Sequence, residues 1–197
     1  PEYDESAMLK IAEGWLVKSY PEEEAVSAIG NIGVPLMIES IKSDLHRLGV
    51  KFDSWFSEKS LFENDHYKKA MEILKDNNYL IEREGAIWFE STRFGEDKDN
   101  VLVRTNGTPT YFASDAAYHY YKFKIAGYER VTNIWGADHQ GHVSRLKSVI
   151  SALGIDDAKL NVILSQMVTL RQSGDLVRAS KRSGQLVTLN ELIDEVG

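Results

Sequence analysis

The sequence predicts an α/β protein in two parts, with helices and a small antiparallel ribbon over residues 1–106 and a parallel sheet with helices over 107–197. Three observations predict this class. Apolar residues recur at helical spacing in the first part. Two short apolar segments, 86–92 and 100–105, flank the polar turn RFGEDKDN. After residue 107, helical patterns alternate with short apolar strands, which is typical of a parallel sheet.

Three helices are expected in the first part. The apolar spacing predicts one over residues 5–18. The stretch VPLMIESIKSDLHRLGV predicts a second amphipathic helix, with Gly49 as its stop. HYKKAMEILKDNNYLI predicts a third, closed by Asn77 and Asn78. The two apolar segments that flank the polar turn then form the antiparallel ribbon.

The second part alternates helix and strand. The expected elements, in order, are a helix SDAAYHYYKFKIAG, a strand RVTNIWGA, a helix GHVSRLKSVISALG, a strand LNVILSQMVTL and a short helix beginning near Thr188. In such sheets ligands collect at the carboxyl ends of the strands. The sequence has neither the Rossmann nor the Walker glycine-rich phosphate motif, so any nucleotide must be held in another way.

Composition narrows the class of protein. The chain has 197 residues, 43% of them hydrophobic, which is typical of a globular core. It has no cysteine, which excludes disulfides and thiolate metal sites, and no apolar run long enough to span a membrane. Its beginning lacks the pattern of a signal peptide, so we expect a cytoplasmic protein without membrane association.

Charge is distributed unevenly along the chain. The formal net charge is −7, which argues against a free-standing nucleic-acid binder. Residues 1–100 hold 21 acidic against 12 basic residues, whereas residues 101–197 hold 9 against 11. We therefore expect an anionic ligand to meet the second half of the chain.

The motif GADHQGH, residues 136–142, lies where a predicted strand ends and a helix begins. Gly136 allows a ligand to approach the backbone, Asp138 can accept hydrogen bonds from ribose hydroxyls, and His139 and His142 share the same crevice. The plainer alternative is a helix start that Asp138 caps. Zinc is a weaker alternative, because no cysteine and no evident fourth ligand accompany the two histidines; no metal ligand is assigned.

A second motif, TPTYFASD, puts Tyr111 and Asp115 four residues apart, one above the other on a helix that starts nearby. A carboxylate beside a phenol suits a guanidinium ion, because the carboxylate accepts two parallel N–H bonds while the ring packs on the flat cation. The alternative is that Asp115 is simply an acid in the first turn of the helix, where the helix dipole stabilises it, and that Tyr111 packs in the core.

Two more segments lie at the same predicted edge. SQMVTL, which includes Gln166, Met167 and Val168, ends a strand whose exposed backbone groups could bind the rim of adenine, although apolar strands without a ligand are common. LVRASKRSGQLVTL follows it and surrounds Ser180 with cations that could bind phosphates; a solvated basic turn is the alternative. The cations of this second segment are Arg178, Lys181 and Arg182.

Taken together, the stretches GTPTYFASDAAYHYYK, GADHQGHVSRLKSVISALG, ILSQMVTL, VRASKRSG and VTLNELIDEVG resemble the arginyl-tRNA synthetases of class I. LGVKFDSWFSEKSL and GAIWFESTRFGEDKDNVLVRTNGTPTY resemble, less specifically, the segment that joins the two halves of that catalytic domain. The resemblance implies a Rossmann-like catalytic core, of which 107–197 is the second half and 1–106 the connective insertion.

The resemblance also implies roles for these residues. Tyr111 and Asp115 would bind the guanidinium of L-arginine, with His139 as a further arginine contact. The ribose side of ATP would meet Gly136, Asp138 and His142, and adenine would meet Gln166, Met167 and Val168. RASKR, residues 178–182, matches the KMSKS loop, with Ser180 and Lys181 as the catalytic pair that stabilises pyrophosphate and Arg178 and Arg182 beside it.

The implied reaction is ATP-dependent formation of arginyl-adenylate, with Mg²⁺ accompanying ATP, followed by transfer to tRNA(Arg). We expect a monomer. Two departures stand out: Arg178 and Ala179 replace the first lysine and the methionine of KMSKS, and the HIGH motif and the anticodon-binding domain are absent, so the chain alone is expected to be inactive.

Other readings remain open on sequence alone. They are another class I synthetase, a non-catalytic paralogue that binds a nucleotide or a partner protein, and a structural domain without a ligand. The Tyr111–Asp115 pair favours arginine over the first of these.

Overall fold

The computed structural model describes residues 22–169, 171–172, 175–176 and 187–196. The elements in chain order are α1 Glu22–Arg47, α2 Ser60–Glu63, α3 His66–Asp76, β1 Leu80–Arg83, β2 Ala86–Phe89, β3 Asn100–Val103, α4 Tyr111–Tyr120, β4 Val131–Gly136, α5 Val143–Ala152, β5 Leu160–Ser165, β6 Arg171–Gln172, β7 Asp175–Leu176 and α6 Leu189–Val196. Short 3₁₀ helices occupy Ser91–Phe94, Ala137–His142 and Asp157–Lys159, and α4 continues into a π-helical turn, Tyr121–Ile125. The helix predicted over 5–18 lies outside the described residues.

The chain forms two compact units, one of Pro1–Ser54 with Arg178–Gly197 and the other of Trp55–Val177. In the first, α1 begins at Glu22 rather than near Val34, and Pro35 lies inside it. The expected start was therefore wrong: the φ of proline is compatible with a helix, and the helix continues through Pro35 despite the lost N–H bond and the crowding that an interior proline causes. Gly49 ends α1 as predicted: it has φ +73°, and the next N–H bonds the carbonyl of Leu45 at 2.9 Å.

Helix α6 begins just after Thr188, as predicted. Thr188 and Glu191 form a reciprocal capping box, in which the backbone N–H of Thr188 donates to the Glu191 carboxylate at 2.7 Å and the N–H of Glu191 donates to the Thr188 hydroxyl at 3.2 Å. The helix is joined to α1 by the ion pair of Arg47 with Asp194.

In the second unit, α3 ends as predicted at Asn77 and Asn78, where Asn78 has φ +55°. The residues after it form β1, a strand that the sequence pattern did not predict. Glu84 and Gly85 both have positive φ and form the two-residue hairpin to β2, as the right-handed strand twist favours. The predicted β2–β3 ribbon is confirmed and becomes a three-stranded antiparallel sheet in the order β1-β2-β3.

Strands β4 and β5 pair in parallel, from Val131 opposite Leu160 to Gly136 opposite Ser165. The predicted α/β alternation of the second part is therefore confirmed, and the two carboxyl ends lie at one edge. Strand β5 ends at Ser165, five residues before the predicted end at Leu170. No helix of the described part is long and apolar enough to cross a membrane.

One hydrophobic core joins the ribbon to the α/β part. Phe89 and Leu102 from the ribbon, Ala117 from α4 and Val149 and Ile150 from α5 are fully buried in it. The predicted division at residues 106 and 107 therefore crosses this core and does not coincide with the two compact units. As a division between connective insertion and catalytic half it stays a prediction.

The core predicts where stability resides. Replacing Ile150, which is 0% exposed, with alanine should lower the free energy of unfolding by about 2–5 kcal/mol, because it leaves a cavity. Ile134→Ala is the matched control: Ile134 is 73% exposed on β4, and its loss should cost under about 1 kcal/mol. Urea unfolding followed by circular dichroism measures both. Equal losses in the two variants would contradict this core.

Candidate functional site

A pocket of about 240 Å³ opens beside the beginning of α4. Tyr111, Ser114, Asp115 and Tyr118 of α4 line one side, and Phe56, Glu58 and Leu61 line the other. The structure thus brings Tyr111 and Asp115 to one pocket, as their spacing predicted. It also adds residues that the sequence reasoning missed, of which Glu58 is the most important because it is a second carboxylate.

Thr110 positions this end of α4. Its side chain caps the helix by accepting the N–H of Ala113 at 3.4 Å, and its hydroxyl donates to the carbonyl of Val101 on β3 at 2.9 Å. The helix therefore starts at a fixed point on the ribbon, with Tyr111 as its first residue and Asp115 one turn further.

The pocket combines aromatic faces with negative charge. The rings of Phe56 and Tyr118 stack with centroids 4.5 Å apart, and Tyr111 is 81% exposed, so that its ring is open to a ligand. Asp115 is partly buried, and its carboxylate makes no hydrogen bond or ion pair with any residue that the structure describes. Burial raises the pKa of Asp115; Arg145 opposes the shift, and the charge of Glu58 adds to it. A carboxylate without a partner beside aromatic rings can accept hydrogen bonds from a flat cation that packs on a ring.

A buried chain of hydrogen bonds fixes α4 against β4. His119 is 2% exposed, and its Nδ1 donates to the carbonyl of Asp115 at 2.7 Å. Its Nε2 accepts from the amide of Asn133 at 2.9 Å. Since a carbonyl can only accept, Nδ1 carries a proton, and burial lowers the pKa of His119 to about 4, so the ring is the neutral Nδ1–H tautomer at pH 7. The chain links the backbone of Asp115 to the strand that leads to Gly136.

The GADHQGH motif forms the 3₁₀ helix Ala137–His142 at the end of β4. Nε2 of His139 lies 3.6 Å from the carboxylate of Asp138, and the rings of His139 and His142 are 5.4 Å apart. All three side chains are exposed. Burial, and then the charges of Arg145 and His139, lower the pKa of His142.

The carboxylate of Asp138 lies over the backbone of Gly136. A side-chain carbon at position 136 would overlap it, although the exposed Asp138 side chain could rotate away. The plainer alternative of a helix start is present, but Asp138 lies in the first turn of this 3₁₀ helix and Gly136 occupies the cap position. Among the residues that the structure describes, no group of three or more His, Asp or Glu side chains could hold a metal ion.

Gln166, Met167 and Val168 follow the end of β5 and are exposed, Met167 by 76% and Val168 by 83%. Because Ser165 pairs with Gly136, this segment and the GADHQGH motif leave the sheet at the same edge, as predicted. The remaining predicted residues, Arg178, Ser180, Lys181 and Arg182, lie outside the described part of the chain.

The sequence matches the family model described as "tRNA synthetases class I (R), catalytic domain" over residues 5–197. The chain therefore belongs to the class I tRNA synthetase catalytic domains of the arginine type. It is 55% identical over 177 residues to an arginine–tRNA ligase of Dehalococcoides mccartyi strain BAV1, and 56% identical over 160 residues to that of Desulfitobacterium hafniense strain Y51. These alignments cover 90% and 81% of this chain but 32% and 28% of the relatives, so the chain spans about a third of their length.

Solved structures agree with the family. A crystal structure described as an arginyl-tRNA synthetase of Campylobacter jejuni aligns with a TM-score of 0.80 at 34% identity, over 95% of this chain and 40% of that one. The arginyl-tRNA synthetase of Thermus thermophilus aligns with a TM-score of 0.71 at 19% identity, over 88% of this chain and 35% of that one, and so supports the fold. The Rossmann-like class I fold expected from the sequence is confirmed.

The tautomer and burial of His119 predict a pH dependence. Burial, and then the charge of Lys122, lower the pKa of His119 to about 4, below its unfolded value of 6.5. The neutral ring therefore stabilises the fold fully above pH 6.5, and this contribution, about 3 kcal/mol, is lost as pH falls from 6.5 to 4. Imidazole NMR should give a midpoint near 4 and a protonated Nδ1 at neutral pH.

The matched control for this titration is His142→Asn, which removes an exposed ring and should leave the buried signal in place. A midpoint for His119 above pH 6, or a ring protonated at Nε2 alone, would contradict the hydrogen-bond chain.

Proposed function

We propose that this chain is the part of an arginine–tRNA ligase that binds arginine and ATP. The observation that carries the proposal is the carboxylate of Asp115, which is partly buried in the pocket beside Tyr111 and Glu58 and has no partner among the described side chains. Such a group is stabilised by a cationic ligand that supplies N–H donors. The family and the identity to arginine–tRNA ligases favour arginine as that ligand.

Arginine recognition follows from the chemistry of the pocket. A guanidinium presents paired N–H donors in one plane, so it can bond both oxygens of Asp115 while Tyr111 packs on its face. Glu58 supplies a second acceptor and a second negative charge at the same pocket. Lysine carries its N–H donors on one nitrogen and cannot form the two parallel bonds of a planar guanidinium or stack flat on Tyr111, so it should bind much less tightly than arginine.

The edge formed by the ends of β4 and β5 supports a nucleotide site. Asp138 and His142 would meet the ribose of ATP, with the backbone of Gly136 close by. Backbone groups of Gln166, Met167 and Val168 would bind adenine. His139, whose charge acts on Asp115, would be a further contact of arginine. Binding at the carboxyl ends of parallel strands is the general rule for open α/β sheets.

The proposed reaction takes place at the α-phosphorus of ATP and involves little proton transfer. A carboxylate oxygen of arginine bonds the α-phosphorus of ATP, and the bond from that phosphorus to the bridging oxygen of the β-phosphate breaks, which releases pyrophosphate. Lys181, Ser180 and the neighbouring Arg178 and Arg182 would stabilise the charge on the leaving group, and Mg²⁺ enters bound to ATP. A terminal ribose hydroxyl of tRNA(Arg) then attacks the acyl carbon, and AMP leaves.

Catalysis in this scheme depends on positioning and electrostatic stabilisation. The partners are L-arginine, ATP and tRNA(Arg), and we expect the whole protein to be a cytoplasmic monomer. The non-catalytic paralogue is not favoured, because the relatives that match at 55% identity are named as ligases.

Asp115→Asn tests the proposal in the whole protein that carries this chain. The substitution removes the charge but keeps the shape, so kcat/KM for arginine in tRNA-dependent pyrophosphate exchange should fall at least about 100-fold. The KM for ATP should change less than about threefold, because Asp115 lies outside the nucleotide edge. Glu58→Gln should cost less, about tenfold, because it leaves Asp115 in place.

The matched control is Glu63→Gln, an exposed acid near the pocket whose ion pair is with Lys59 at 3.2 Å. It should change kcat/KM less than about twofold. Lys181→Ala in the same assay should lower kcat with little effect on the KM for arginine. Unchanged rates in both Asp115→Asn and Lys181→Ala would overturn the assignment of the site.

A further inference from the structure

Two partly buried cations lie near Asp115 without pairing with it. Lys122 follows on the same helical run and Arg145 lies on α5, and both appear among the charges that act on Asp115. Within the described part of the chain, neither cation has a carboxylate within 4.0 Å. Opposite charges in a partly desolvated region attract strongly, so their separation needs a structural cause.

Lys122 is held by an amide and a ring. Its Nζ donates to Oδ1 of Asn133 at 3.2 Å and lies 4.1 Å from the centre of the Tyr118 ring. Tyr118 also lines the pocket. The amide and the ring hold the ammonium at these two contacts, and neither is a contact with the carboxylate of Asp115.

Arg145 is held by the same two kinds of contact. Its Nη1 donates to Oδ1 of Asn100 at 3.2 Å, and its guanidinium carbon lies 4.8 Å from the centre of the Phe112 ring. Phe112 is next to Tyr111 in sequence and is buried under the start of α4. The second cation is thus fixed between the ribbon and the helix that carries the pocket.

The orientation of both amides is fixed by their other ends. The NH₂ of Asn133 donates to Nε2 of His119. That nitrogen accepts because burial lowers the pKa of His119 to about 4, so the ring is neutral at pH 7, and its one proton is on Nδ1, which donates to a carbonyl. The NH₂ of Asn100 donates to the carbonyl of Lys98 at 3.2 Å, which can only accept, and to the hydroxyl of the buried Ser91 at 2.9 Å. In both cases the amide oxygen is therefore the atom that faces the cation.

We propose that Asn133 and Asn100 are positioning residues that hold Lys122 and Arg145 beside the pocket but off the carboxylate of Asp115, which stays open for the substrate cation. The proposal rests on the proposed function, in which Asp115 binds the guanidinium of arginine. We call the hydrogen bonds from Lys122 to Asn133 and from Arg145 to Asn100 the two tethers. Without them, a flexible lysine or arginine would pair with Asp115 and compete with the substrate. With them, the two charges favour the ionised carboxylate from a distance.

The test is a double-mutant cycle in the whole protein. For each variant, the KM for arginine and kcat are both measured in pyrophosphate exchange. Asn133→Leu should raise the KM for arginine about five- to tenfold, because the freed Lys122 competes, while kcat changes less than about threefold. Adding Lys122→Met should return the KM to within about threefold of wild type. Lys122→Met alone should stay within about threefold of wild type.

Lys124→Met is the matched control, because Lys124 donates to the carbonyl of Gly154 at 3.2 Å and is not part of either tether. In the Asn133→Leu background it should leave the raised KM unchanged. If Asn133 has a merely structural role, Lys122→Met should not restore the KM. A failure of Lys122→Met to restore the KM would overturn the proposal, and so would an unchanged KM for arginine in Asn133→Leu.

The same cycle is carried out for the second tether with Asn100→Leu and Arg145→Met. The proposal therefore stays testable if an Asn133 variant does not fold. Asp115→Asn separates the two levels of inference. If it leaves the KM for arginine unchanged, the site itself is wrong. If it raises that KM while neither asparagine variant does, only the tethers are wrong.

Discussion

The site depends on one constraint: a partly buried carboxylate, that of Asp115, is kept ionisable and unpaired. Burial raises its pKa, and the charge of Glu58 adds to that shift, so both oppose ionisation. Arg145 and Lys122 oppose the rise through space, and no described side chain neutralises Asp115 by contact. In the proposed function a cationic ligand supplies the missing interaction, which is how a binding site differs from an internal ion pair.

The fold supplies the rigidity that this arrangement needs. Thr110 fixes the start of α4 on β3, and the Asp115 carbonyl is bonded through His119 to Asn133 on β4. The same strand ends at Gly136, at the edge where the nucleotide is proposed to bind. Few degrees of freedom therefore separate the pocket of Asp115 from that edge, as the proposed reaction between two bound substrates requires.

Much of the fold could be predicted because it depends on local patterns. The Gly49 and Asn77–Asn78 stops, the α/β alternation and the start of α6 near Thr188 follow from capping and periodicity. Strand β1 was missed because its four residues, Leu80–Arg83, directly follow a helix end and carry two charges. The start of α1 was wrong because Pro35 suggested a beginning where the helix continues.

The pocket was only half predictable. Tyr111 and Asp115 share one helix, so their spacing alone brought them together. Glu58 lies more than fifty positions earlier in the chain, and only tertiary packing brings it to the pocket. The roles of Asn100 and Asn133 could not be predicted either, because the sequence shows neither the burial of an asparagine nor its hydrogen-bond partners.

The most direct measurement compares the binding of arginine and citrulline to the whole protein that carries this chain. Citrulline has nearly the same shape but replaces the guanidinium with a neutral urea group. Calorimetry should show arginine binding at least about 100-fold more tightly, because only the cation can pair with the open carboxylate of Asp115. Equal affinities for the two amino acids would contradict the account.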